Sequence, residues 1–235
     1  MRRIKLDPLV FLPGMMCDAR LFAPQIEALS RERAVQVACL AGHDSVRAMA
    51  EAVLEAAPER FALAGLSLGG IVAMEVIRKA PARVTRLALM ATDPLTDTPD
   101  MAAGREVLIA RARGGRLEEV LREFLPAQTL APGPGRAGIQ DGFVRMGLEA
   151  GAEQFGDQMR ALQRRPDQQG TLRRVQVPTL VMGGAHDRMC PPRRHEFMAQ
   201  LIPGARLEIL EDAGHLLTQE APGASLEAFR VWLSA

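Results

Sequence analysis

Between Phe61 and Lys79 the chain passes from a short apolar run, through Gly65-Leu66-Ser67-Leu68-Gly69, into a helical pattern. That order constrains the fold more than any other stretch. Phe61 to Ala64 reads as a buried strand and Ile71 to Lys79 as a helix. A strand joined to a helix by so few residues must turn sharply, and Gly65 and Gly69 leave out the side chains that would clash in such a turn. The turn pushes the Ser67 hydroxyl out at the strand's C-terminal end. The following helix aims free N–H groups and a positive dipole end at the same place. A serine held there is poised for acyl transfer. A glycine-rich helix start with a capping serine would use the same letters, so the rest of the chain must decide.

The surrounding pattern alternates strand and helix. Leu9 to Leu12 is an apolar run closed by Pro13-Gly14, and helix signals follow from Asp18 to about Ser30. Ala34 to Leu40 reads as a second strand. Val46, Met49, Ala50, Val53 and Leu54 then form the apolar stripe of a helix that Pro58 ends. Val84 to Ala91 is a fourth strand. From Asp97 to about Arg174 the pattern is helical only: Leu117, Val120, Leu121, Phe124 and Leu125 make one stripe. Phe143 with Met146, and Phe155 with Met159 and Leu162, suggest two more helices beyond a Pro-Gly-Pro-Gly loop at 132–135. Strands return at Pro178 to Gly183 and Arg206 to Leu210, each followed by a helical segment. This rhythm predicts an α/β fold: a doubly wound, mainly parallel sheet of about six strands with helices on both faces. Residues 1–96 and 171–235 form the core, and 97–170 form a helical lid over the strands' C-terminal edge, where ligands bind in such sheets.

Serine needs a base to take its proton, and the base needs an orienting acid. His215 lies just past the last strand, in Ala213-Gly-His-Leu. Asp187 lies just past the strand before it, in Gly183-Gly-Ala-His-Asp. Ser67, Asp187 and His215 therefore fall at three C-terminal strand ends, with Asp93, after the fourth strand, as a rival acid. His43, His186 and His195 read as solvated or local. Cys190 reads as a packed thiol with no base placed for it. An oxyanion needs two donors: the N–H of Leu68, after the nucleophile, and one from the loop after the first strand, where Met15 follows a glycine. Met16, Leu66, Leu125, Phe143 and Met146 are the expected pocket residues, and they favour an apolar substrate.

Composition narrows the partners. The net charge of +1 and the scatter of the 29 basic residues among acids argue against nucleic acid. No stretch approaches the length of a membrane helix, and the first apolar run is too short for a secretory leader. Three cysteines without metal-type spacing fit a reducing, cytoplasmic setting, and the expected chemistry calls for no metal or organic cofactor. The expected partner is a small-molecule substrate.

Taken in order, Leu12-Pro-Gly-Met, Gly65-Leu-Ser-Leu-Gly-Gly, Gly183-Gly-Ala-His-Asp with Pro191, and Ala213-Gly-His-Leu with Glu220 and Pro222 resemble the α/β-hydrolase superfamily. The likeness is to its small lidded carboxylesterases and their kin. It implies a serine hydrolase cleaving an ester or related acyl bond through Ser67, His215 and Asp187. The same triad would also serve an acyltransferase, a perhydrolase or a carbon–carbon bond hydrolase. A non-catalytic small-ligand binding protein on this fold is the alternative of another class. Two departures stand out. Most relatives have His-Gly where this chain has Pro13-Gly14, which removes the hydrogen bonds that usually brace the oxyanion loop. Too few residues precede the first strand for the family's usual extra hairpin, so six all-parallel strands are expected in place of eight mixed ones. Ala34 to Leu40 would then be an apolar edge, calling for cover by a terminal segment or by a second copy in a homodimer.

Overall fold

The structure is a computed structural model that describes residues 6–235. Six strands form one sheet: β1 (Leu9–Leu12), β2 (Val35–Val37), β3 (Phe61–Leu66), β4 (Val84–Met90), β5 (Thr179–Gly184) and β6 (Arg206–Leu210). They lie in the order β2-β1-β3-β4-β5-β6, and all five pairings are parallel. Every residue of β1, β3 and β5 is buried, which is why these strands read as unbroken apolar runs without alternation. The strand order reverses at β1, so the crevice between the C-terminal ends of β1 and β3 is the topological switch point.

Helices α1 (Ala23–Leu29), α2 (Val46–Ala56) and α3 (Leu68–Lys79) connect the first half of the sheet. Between β4 and β5 the chain forms α4 (Pro99–Arg111), α5 (Leu117–Phe124), α6 (Arg136–Gln163) and the short α7 (Gln169–Leu172). After β5 come α8 (Pro192–Leu201), α9 (Leu217–Glu220) and α10 (Pro222–Ser234). Phe11 stacks on Phe22 and meets Phe229 edge-on, so the segment before α1 and the closing helix α10 share one face of the sheet.

The stripes at Phe143 and at Phe155 lie on two helical stretches, as expected, joined within α6 at Gly151, whose φ of 86° and ψ of 166° are non-helical and are taken freely only by glycine. One expectation changes: the edge strand is shorter than Ala34 to Leu40. β2 has three half-buried residues, and its ladder closes with Ala38 N–H donating to Phe11 O at 2.9 Å. A short edge limits the unpaired backbone offered to another chain.

α3 is jammed against the ends of β1 and β3. A Cβ on Gly65 would lie 2.2 Å from Gly69 O, and one on Gly69 would lie 2.0 Å from Leu12 O. These two contacts explain the glycine spacing around Ser67.

Candidate active site

Ser67 sits at φ 54° and ψ −116°, a conformation that side-chain-bearing residues rarely adopt. The surrounding structure holds it there. Ser67 N–H donates to Met90 O at 2.8 Å, and Ser67 O accepts from Thr92 Oγ1 at 2.9 Å and from Ile71 N–H at 3.1 Å. Met16 (φ 58°) and Ala91 (φ 44°) are the other non-glycine residues with positive φ among the described residues. All three lie just past strand C-terminal ends around one crevice, so the backbone strain of this fold is gathered where the chemistry would occur.

The structure brings Ser67, His215 and Asp187 into one line. His215 Nε2 is 3.0 Å from Ser67 Oγ, and His215 Nδ1 is 2.8 Å from Asp187 Oδ2. Asp187 Oδ1 accepts from the N–H groups of Met189 and Cys190, at 2.8 and 2.9 Å. Both carboxylate oxygens are thus engaged, and the buried side chain has one orientation. Asp93, the rival acid, does not reach the imidazole: it accepts from Leu95 N–H and pairs with Arg194 at 3.3 Å. Burial alone would lower the pKa of His215. The charge and hydrogen bond of Asp187, with the charge of Glu220, outweigh it and raise the pKa above its ordinary value.

The histidine loop is clamped from two sides. His215 N–H donates to Thr129 O at 2.9 Å. Glu220 accepts from Gly214 and Leu216, the residues flanking His215, and from Ala131 at the foot of the insertion. Burial pushes the Glu220 carboxyl up, while those three N–H groups and His215 pull it back. In sequence Glu220 appears only as a family letter, with no role legible.

On the oxyanion side, Leu68 is the first residue of α3, so its N–H has no intrahelical acceptor. Met16 N–H donates to Gln158 Oε1 of α6 at 2.8 Å, whereas Met15 N–H finds no acceptor among the described residues. Gln158 thus holds the loop that Pro13 leaves unbraced, a link spanning 142 positions that no local pattern reveals.

Ser67 and His215 open on a cavity of about 250 Å³. Met15, Ile71, Met101, Phe124, Leu162 and Met189 give it an apolar lining, and Thr92, Asp93, Arg105, Arg165 and Cys190 add polar groups. Of the expected pocket residues, Met16, Leu66, Leu125, Phe143 and Met146 do not line it. Met16 and Met146 line a separate cleft beside β2, and Phe143 lines another with Met146. Leu66 and Leu125 are packed into the core. Phe124, not Leu125, lines the cavity, and it meets Phe155 of α6 edge-on.

One sequence reading is corrected: His195 is fully buried, not solvated. It packs against Gly183, where a Cβ would lie 2.6 Å from its Nδ1, and burial lowers its pKa. The Cys190 sulfur, a His215 nitrogen and an Asp187 oxygen lie within 4.8 Å of one another, but both His215 nitrogens are taken up by Asp187 and Ser67. Burial, with the nearby Asp187 and Asp93 charges, holds Cys190 protonated as a thiol. Among the described residues no helix is long and apolar enough to cross a membrane.

Residues 9–228 match the alpha/beta hydrolase family, and the chain belongs to it. It is 26% identical to a pimeloyl-(acyl-carrier protein) methyl ester esterase of Nitrosomonas europaea, covering 88% of each chain. A protein of the same description from Methylococcus capsulatus is 30% identical, over 73% of this chain and 70% of its own length. Among solved structures, a thermophilic esterase from Thermogutta terrifontis, described as malate bound, superposes with a TM-score of 0.88. It shares 28% identity, over 97% of this chain and 89% of that one.

Proposed function

We propose that this protein is a serine esterase acting on a small substrate through Ser67, His215 and Asp187. The observation that carries the reading is the Ser67–His215–Asp187 line, at 3.0 and 2.8 Å. The similarity to proteins described as esterases supports it.

In this reading the Ser67 hydroxyl donates to His215 Nε2, and Nδ1–H donates to Asp187. As Ser67 Oγ bonds to the ester carbonyl carbon, its proton passes to Nε2, and Asp187 stabilises the imidazolium. The carbonyl oxygen becomes an oxyanion that takes hydrogen bonds from the Leu68 and Met15 N–H groups. Collapse breaks the bond to the alcohol oxygen, which receives the proton from Nε2. Water repeats the cycle on the acyl-enzyme and frees the acid. The helices over the cavity, α4 to α6, act as its lid and exclude bulk water.

A fluorophosphonate probe read by intact mass tests this. One adduct on wild type and none on Ser67→Ala is expected, with turnover of a simple methyl ester lowered by about 10⁶ in the variant. A residual rate within about tenfold of wild type would remove Ser67 from the mechanism.

A further inference from the structure

The wall of the cavity contributed by the insertion carries more positive charge than its acids balance. Arg105 and Arg165 both line the cavity that holds Ser67. They share one carboxylate, Asp97, which is fully buried: Arg105 Nε lies 2.5 Å from it and Arg165 Nη2 lies 3.0 Å from it. Arg165 also donates through Nε to Leu95 O at 2.7 Å. Its Nη1 makes no hydrogen bond to a described residue, although the residue is only 8% exposed. The remaining nearby acid, Asp93, is matched by Arg194.

Two guanidinium groups on one carboxylate leave an uncompensated charge in a nearly dry place, where such a charge is costly. Burial and the like charge of Arg105 lower the pKa of Arg165, against the pull of Asp97 and Asp93. Ser67 and His215 line the same cavity as the two arginines, and Asp187 is engaged by the imidazole. A bound anion at Arg165 would relieve the excess charge and set the other end of the molecule at Ser67. Arginine suits this because its fork matches a carboxylate.

We infer that Arg165, with Arg105, forms an anion subsite in the Ser67 cavity, and that the substrate is a small ester with an apolar body and one free carboxylate. This rests on the esterase reading for its catalytic half only. The volume, about 250 Å³, lies below the range of about 300–1,000 Å³ typical of drug-sized ligands, which suits a short dicarboxylic half-ester.

Two readouts separate the subsite from the esterase reading. In the first, glutarate and its neutral isostere glutaramide are titrated by calorimetry into the Ser67→Ala protein, and each is used to slow fluorophosphonate labelling of wild type. Glutarate should bind and protect, and glutaramide should do neither. Arg165→Met should weaken glutarate by about tenfold or more, the scale of losing a charge-assisted hydrogen bond, with Arg165→Lys retaining part of the affinity. In the second, kcat/KM is compared for monomethyl glutarate and methyl valerate. Wild type should prefer the half-ester by about tenfold or more, and the ratio should collapse in Arg165→Met through KM. Equal or absent binding of glutarate and glutaramide overturns the subsite, even where both esters are cleaved. Selective glutarate binding without any fluorophosphonate adduct keeps the subsite and sinks the esterase reading. Should Arg165→Met fail to fold without its tie to Asp97, the wild-type contrasts and Arg165→Lys still decide.

Discussion

The sheet's C-terminal edge and the helical insertion above it are held by different physics. At the edge, Ser67, Asp187 and His215 stand on short turns whose backbones touch. A Cβ on Gly69 would sit 2.0 Å from Leu12 O, and one on Gly184 would sit 2.3 Å from Gly214 O. In the insertion the glycines at 104, 114, 133 and 138 have nothing within 4 Å of a built Cβ. The joints there are side-chain pairs such as Arg111–Glu123, Arg113–Glu153 and Arg122–Asp141, mostly on the surface, where each is worth little. The edge has one workable geometry, fixed by backbone contact. The insertion is held by side chains that can be exchanged.

The sharpest break of this comparison is to make the same change in both places. Gly69→Ala should misplace Ser67 or prevent folding, because its Cβ meets backbone that cannot rotate away. Turnover should fall by about 10² or more, as expected when reacting groups move by about 1 Å. Gly104→Ala, exposed within α4, should instead stabilise by about 0.5–1 kcal/mol through helix propensity. Thermal unfolding and methyl-ester turnover on both variants check this. A Gly69→Ala protein with wild-type turnover would remove the backbone-contact account.

The next prediction concerns the link between the regions. Gln158→Leu takes the acceptor from the Met16 N–H and leaves a buried donor unpaired, a loss of about 1–3 kcal/mol. The Met15 N–H should lose its fixed aim. The expected result is kcat down by about tenfold or more with KM little changed, since an oxyanion donor acts in the transition state. A fall in stability with kcat intact would make Gln158 a packing residue only.

The same contrast explains what could be read from the letters. Ser67, Asp187 and His215 each follow a strand end, and local rules place strand ends: an apolar run, a glycine, a helix start. Strands β1, β3 and β5 were legible for the same reason, since buried parallel strands are unbroken apolar runs. The cavity wall was not. Choosing Leu66 for standing next to Ser67 ignored that its side chain is packed into the core. Choosing Leu125, Phe143 and Met146 required knowing how α5 and α6 dock, which depends on Phe124 meeting Phe155 and on the break at Gly151. Arg105 and Arg165 meet only through Asp97, a pairing without periodicity. Gln158 and Glu220 act on backbone N–H groups far along the chain, and such acceptors carry no sequence signature.

The smallest expected effect lies at the joint itself. Glu220 ties both neighbours of His215 to Ala131, so its carboxylate belongs to edge and insertion together. Its charge also favours the imidazolium. Catalysis needs His215 neutral before Ser67 attacks, so activity should rise with pH through the His215 pKa, which lies above its ordinary value. Glu220→Gln removes one negative neighbour while keeping an amide oxygen that can still accept. The His215 pKa should fall, and the acid limb of kcat/KM should move to lower pH. The alkaline plateau should drop only modestly, because the loop keeps its bond from His215 N–H to Thr129 O. A limb that stays in place would mean that Asp187 alone sets the imidazole's charge. A plateau lowered as far as by Gln158→Leu would mean that Glu220 fixes the loop's shape more than its field, and that the insertion holds the histidine as firmly as the sheet does.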